Sequence, residues 1–144
     1  MTRRTLISAG VTTLSVLAML LAVDATADES SLSAGLKALQ GTWVTDDTDP
    51  IDARWQFKGE NLEVVVNGIE YVGIVKLDEA AKPFGTMDIS ISEGPEDAKG
   101  KTGKGIYKLE GEKLIISVSV PGSDRPKDFE PIPDEVYIFE LKKQ

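Results

Sequence analysis

Arg54-Trp55-Gln56-Phe57-Lys58-Gly59-Glu60-Asn61-Leu62-Glu63-Val64-Val65-Val66-Asn67-Gly68-Ile69 decides how this chain is read. Trp55 and Phe57 alternate with Arg54, Gln56 and Lys58, the twofold period of a strand with one apolar face. Lys58-Gly59-Glu60-Asn61 makes a turn. Leu62, Val64 and Val66 then alternate with Glu63 and Val65. Asn67-Gly68 tolerates the positive φ angles of a type I′ turn and leads directly into a further strand over 69–77. The segment therefore predicts consecutive antiparallel strands joined by tight hairpins.

The same pattern extends in both directions. After a break at Lys82-Pro83, Met87, Ile89 and Ile91 face one way and Asp88, Ser90 and Ser92 the other. Residues 94–104 are rich in Gly and Lys and read as a polar loop. Residues 106–109 and 113–120 pair around Glu110-Gly111-Glu112, with Leu114, Ile116, Val118 and Val120 on one face. Residues 121–133 hold four of the seven prolines and read as a loop, because proline cannot donate to a strand ladder. Residues 135–142 form a last strand. Upstream, Ser31 or Ser33 can cap a short helix ending at Leu39, with Leu32, Leu36 and Leu39 on one side. The expectation is an all-β domain of about eight antiparallel strands with a short N-terminal helix. An up-and-down barrel and a two-sheet β-sandwich both bury such faces; the barrel is expected, with the sandwich as the alternative.

Composition excludes several chemistries. The 144 residues contain no cysteine and no histidine. Disulfides, the usual zinc and haem sites, a thiol nucleophile and an imidazole base are all ruled out. A net charge of −8 argues against nucleic acid, which needs a basic face. No cofactor is expected.

The first 27 residues have a separate character. Arg3 and Arg4 precede an uncharged stretch running to Val23, and Ala25-Thr26-Ala27 offers the small-x-small pattern of a cleavage site. Residues 1–27 read as a secretory signal peptide, 28–39 as a polar leader with the short helix, and 40–144 as the barrel domain. Thr2-Arg3-Arg4-Thr5-Leu6-Ile7 also suits twin-arginine export, so the route stays open between that and the general pathway. Cleavage would remove Arg3, Arg4 and Asp24, a net +1, and leave −9 on a periplasmic or extracellular protein with no membrane segment.

Leu39-Gln40-Gly41-Thr42-Trp43 resembles the opening of a family of uncharacterised, secreted, lipocalin-like domains abundant in planctomycete bacteria. Lys82-Pro83, Met87-Asp88-Ile89 and Glu93-Gly94-Pro95 are similar to that family's middle segment. Residues 105–114 resemble its central hairpin, and Pro121-Gly122, Arg125-Pro126 and Phe129 its ending. The resemblance covers roughly residues 36–142. It implies export and a lipocalin-like barrel, with Gly41-Thr42-Trp43 plugging the closed end. Many members carry a cysteine where this chain has Ser117. The resemblance implies no particular ligand or reaction.

Each candidate site carries a structural alternative. Trp43, Trp55, Phe57, Tyr71 and Tyr107 could line a ligand cavity or simply fill the core. Strands of six to eight residues give a barrel roughly 20–26 Å tall, whose interior side chains can nearly fill or leave open for one small ligand. Arg125 could meet an anionic ligand at the barrel mouth, or stack on Trp43 or cap carbonyls. Asp46, Asp47, Asp49 and Asp52 form a weak calcium candidate that lacks the glycine turn and distal Glu of an EF-hand. Lys99-Gly100-Lys101-Thr102 is not a phosphate loop, because Pro95 stands where glycine is needed and no helix follows. Acid pairs such as Glu60/Glu63 or Asp134/Glu135 leave a carboxylate-dependent hydrolase as a remote alternative. The expected function is non-enzymatic: an exported binding protein for a small apolar or extended ligand. The alternative is an envelope or extracellular module with a packed barrel that binds protein or polysaccharide.

Overall fold

The structure is a computed structural model describing residues 32–144; the segment read as a signal peptide and its expected cleavage point lie outside the described residues. Among the described residues one helix, α1 (Ala34–Leu39), precedes eight strands: β1 (Gly41–Thr45), β2 (Ala53–Lys58), β3 (Asn61–Val66), β4 (Ile69–Asp78), β5 (Gly85–Glu93), β6 (Thr102–Glu110), β7 (Lys113–Ser119) and β8 (Val136–Lys143). Each strand pairs antiparallel with the next, and β8 returns to β1 through Trp43↔Lys143, Val44↔Lys142 and Thr45↔Leu141. The sheet is a closed barrel, so the sandwich alternative falls.

Register explains why the interior is apolar. Trp55 pairs with Trp43 on one side and Val64 on the other, and Val64 pairs with Tyr71. Around the far wall Val75 pairs with Ile89, and Ile116 with Phe139. Partners across a ladder share a face, so the alternating apolar sets of all eight strands fall inside. Arg54, Lys58, Glu63, Lys76, Lys104 and Glu140 are exposed on the outer positions of the same strands. The turns match the sequence pattern. Asn67 and Gly68 take φ of 49° and 86°, the two positive values that a type I′ hairpin demands.

One end of the barrel is sealed. Ser33 caps α1 by accepting from the Leu36 N–H at 3.2 Å, and the helix buries Leu36 and Leu39. Glu79, from the β4–β5 connection, accepts the Gly35 N–H at 2.8 Å and ties the helix start to the rim. Trp43 donates its indole N–H to the Leu39 carbonyl at 2.9 Å and is 2% exposed. The Lys143 ammonium lies 5.0 Å from the Trp43 ring centroid and also donates to the Gln40 carbonyl. Beneath this plug Phe57, Leu62, Val75, Met87, Leu114, Ile116 and Leu141 are fully buried.

One local reading is corrected by the register. Thr102, Gly103 and Lys104, read as loop, begin β6, and Gly103 pairs with Ile89. Their glycines and lysines hid the strand, because glycine is depleted from strands and presents no side chain to mark a face. The Pro-rich segment 121–133 is a loop, but it folds back along the outside of the barrel. Arg125 reaches β5 and β6, and Phe129 packs edge-on to Phe84 at 4.8 Å with the Lys108 ammonium 4.8 Å from its centroid. Ile106 and Ser117, on outer strand positions, are buried in the region this strap spans.

Because Trp43 fills the sealed end and ties β1 to α1, Trp43→Ala should cost about 3–5 kcal/mol. Urea unfolding should show a lowered midpoint with an unchanged slope. Trp43→Phe, which loses only the indole hydrogen bond and part of the ring, should cost about 1–2 kcal/mol by the same measurement.

Candidate functional site

The opposite end of the barrel is a cup of about 640 Å³ that opens to solvent. Trp55, Val64, Ile89, Ile91 and Phe139 are buried side chains on its lower wall, with Val118 beside them. Higher up it is lined by Ile51, Val66, Ile69, Tyr71 and Tyr137, and by Asp97, Lys101 and Asp134 from the loops. Four connections frame the opening: β1–β2, β3–β4, β5–β6 and β7–β8. The Asn67 side chain accepts the Asp52 N–H at 3.0 Å and the Asn67 N–H reaches the Asp52 carbonyl at 2.7 Å, linking the first loop to the β3–β4 turn. The β5–β6 loop is a tight turn closed by Ala98 and Lys99 N–H groups on the Pro95 carbonyl, both at 2.9 Å.

The floor divides cup from core. Trp55 packs edge-on to Phe139, with centroids 5.3 Å apart, and stacks against Phe57 at 6.2 Å. Trp43, Phe57 and Ile116, the residues that fill the sealed half, do not line the cup. The Trp55 indole N–H is buried with no hydrogen-bond partner among the described residues. A buried donor left in this state costs about 1–3 kcal/mol, so packing rather than polar satisfaction holds this ring.

The aromatic candidates therefore separate. Trp55 and Tyr71 line the cup. Trp43 and Phe57 belong to the filled end. Tyr107 packs against the same core beside Gly85, where a Cβ built on the glycine would lie 2.8 Å from its ring. Burial, then the nearby Glu79 and Asp78, holds the Tyr107 phenol pKa above its ordinary value. Tyr137, Asp97 and Lys101 were missed as lining residues. Tyr137 could have been found from its alternation with Phe139; the loop residues carried no pattern of their own.

Arg125 lies on the outer wall. Its Nη1 donates to the Gly105 carbonyl at 2.9 Å, and Nη2 is 2.7 Å from Asp88 Oδ1. The Asp88 contact is an off-axis ion pair, not an aligned hydrogen bond. Asp88 is the outward neighbour of Met87 and Ile89, so Arg125 caps a carbonyl on the outside and does not face the cup. Lys143, not Arg125, stacks on Trp43.

The acidic β1–β2 loop is held by its own backbone. Asp46 Oδ1 accepts the Thr48 N–H and hydroxyl, both at 3.0 Å, and its Oδ2 meets the Lys142 ammonium at 3.0 Å. Asp49 accepts the Ile51 N–H at 2.9 Å. Among the described residues no group of three or more acidic side chains converges on a point where a metal ion could sit, so Asp46, Asp47, Asp49 and Asp52 are not brought together. The Thr48 N–H first, then Lys142 and the Thr48 hydroxyl, hold the Asp46 pKa at about 2, below the ordinary 3.8.

Comparison with known proteins finds no matching family model, no curated relative and no solved structure.

Two outcomes follow from this placement. Arg125→Ala should lower the melting temperature by about 3–6 °C, the loss of roughly 1 kcal/mol, and leave binding in the cup unchanged. Calorimetry together with a cup-probe titration checks both. The Asp46 carboxyl should titrate near pH 2 by NMR, and Lys142→Met should move that titration upward. Since the folded value is depressed, the associated stabilisation is present above about pH 3.8 and fades as pH falls toward 2.

Proposed function

We propose that this chain is an exported, non-enzymatic, lipocalin-like binding protein that takes a small, largely apolar ligand into the mouth of its barrel. The cup carries this reading. Its volume of about 640 Å³ falls within the roughly 300–1,000 Å³ of small-molecule sites, and its walls are apolar with a few polar groups at the lip. Eight strands enclose an interior just large enough for one such ligand when part of it is left unfilled. Export is supported by Arg3, Arg4, the uncharged stretch to Val23 and Ala25-Thr26-Ala27. The lack of histidine and cysteine supports binding over catalysis. The lipocalin-like assignment rests on the resemblance of residues 36–142 and on the Gly41-Thr42-Trp43 plug after a short helix.

A second reading has one observation in its favour. Ile69 and Tyr137 at the cup are 48% and 41% exposed, apolar surface that a protein or polysaccharide partner could cover.

An uncharged fluorescent probe distinguishes the two. N-phenyl-1-naphthylamine should bind the intact protein saturably at one site per chain. Val118→Phe, which projects a ring into the cup, should weaken that binding at least about tenfold without lowering the melting temperature by more than a few degrees. Absence of saturable binding, or binding indifferent to Val118→Phe, would contradict the cup reading and favour the exposed apolar surface.

A further inference from the structure

We propose that the lip of the cup is a cation site, so that its occupant is an amphiphile with a positively charged amine or quaternary ammonium head at the rim and an apolar body inside. This rests on the binding reading above and names the ligand class for the same cup.

The lower wall offers no counter-charge to an anion. Trp55, Val64, Ile89, Ile91, Val118 and Phe139 carry no positive charge, and a carboxylate driven among them would lose its hydration without gaining a counter-charge. The rim has the opposite character. Tyr71 and Tyr137 present two phenol rings at the opening, and Asp97 and Asp134 present two carboxylates. All three of Tyr71, Tyr137 and Asp97 line the same cup, and burial, then the charges of Asp97 and Tyr137, holds the Tyr71 phenol pKa above its ordinary value.

Among the described residues neither carboxylate is neutralised by an ion pair. The ion pairs among the described residues join Lys113 to Glu140, Arg125 to Asp88 and Lys142 to Asp46, and leave Asp97 and Asp134 without a basic partner within 4.0 Å. Among the described residues Lys101 is the one basic side chain on the cup, and its stem runs beside Gly122 of the β7–β8 loop. Phenol rings and carboxylates lining one cup can attract an ammonium through the ring quadrupoles and the Coulomb field together. The net charge of −8 raises the local concentration of cations further.

A matched decyl series tests this on the intact protein: decyltrimethylammonium, 1-decanol and decanoate, each below its aggregation limit, titrated by calorimetry. Decyltrimethylammonium should bind at least about tenfold more tightly than decanoate. Asp97→Asn should weaken the ammonium about three- to tenfold and leave decanol unchanged. Glu112→Gln, the same charge change in the hairpin at the sealed end, should alter none of the three. Tyr71→Phe keeps the ring and should retain ammonium binding, whereas Tyr71→Leu should lose it in proportion to Asp97→Asn. Decanoate binding as tightly as the ammonium, or ammonium binding indifferent to Asp97→Asn, would overturn the cation site while decanol binding left the cup reading standing. Failure of all three probes, decanol included, would overturn both.

Discussion

Closure of β8 onto β1 is the constraint on which the rest of the molecule depends. Three residue pairs, Trp43↔Lys143, Val44↔Lys142 and Thr45↔Leu141, remove the last free edges of the sheet. Closure fixes which face of every strand is interior, because a slip of one residue would turn Trp55, Phe57, Leu62 and Val64 outward together. It also fixes the interior volume. An eight-stranded barrel of short strands can be packed solid or can hold one small guest, and this chain divides the choice between its two ends.

The two ends are filled differently. At the helix end Trp43, Phe57, Met87 and three leucines fill the bore, and α1 lies across it through the Trp43–Leu39 and Gly35–Glu79 hydrogen bonds. At the other end Gly103, Val64, Val66 and Val118 are interspersed among the larger lining residues, and the cup remains. Trp55 is the partition. Its ring is pinned by Phe57 and Phe139, and its unpaired N–H marks a place where shape was favoured over polar satisfaction. The outer strap, held by Arg125 and Phe129, buttresses β5 and β6 and leaves the opening clear.

Much of the barrel was legible beforehand because its signals are local. Alternation through 54–66, the Asn67-Gly68 turn and the helix spacing of Leu36 and Leu39 each report a short-range preference that the fold keeps. The start of β6 was hidden because Gly103 and Gly105 have no side chains to alternate, and their strand identity comes only from pairing with Ile89, Met87 and Val118. The sites were less legible for the same reason. Trp43 and Trp55 look alike in sequence, and only the direction in which the barrel is filled makes one a plug and the other a floor. Arg125 has its role from strap geometry, since Asp88 and Gly105 are 37 and 20 positions away along the chain. The cup's Asp97, Lys101 and Asp134 come from loops whose composition reads only as polar surface.

The central claim is that the bore is filled at the Trp43 end and open at the Trp55 end. Xenon enters apolar space without needing polar partners, so diffraction from xenon-pressurised crystals tests it directly. The account predicts xenon density bounded by Trp55, Val64, Ile89 and Phe139, and none among Trp43, Phe57 and Ile116. Xenon beside Trp43, or none above Trp55, would contradict it.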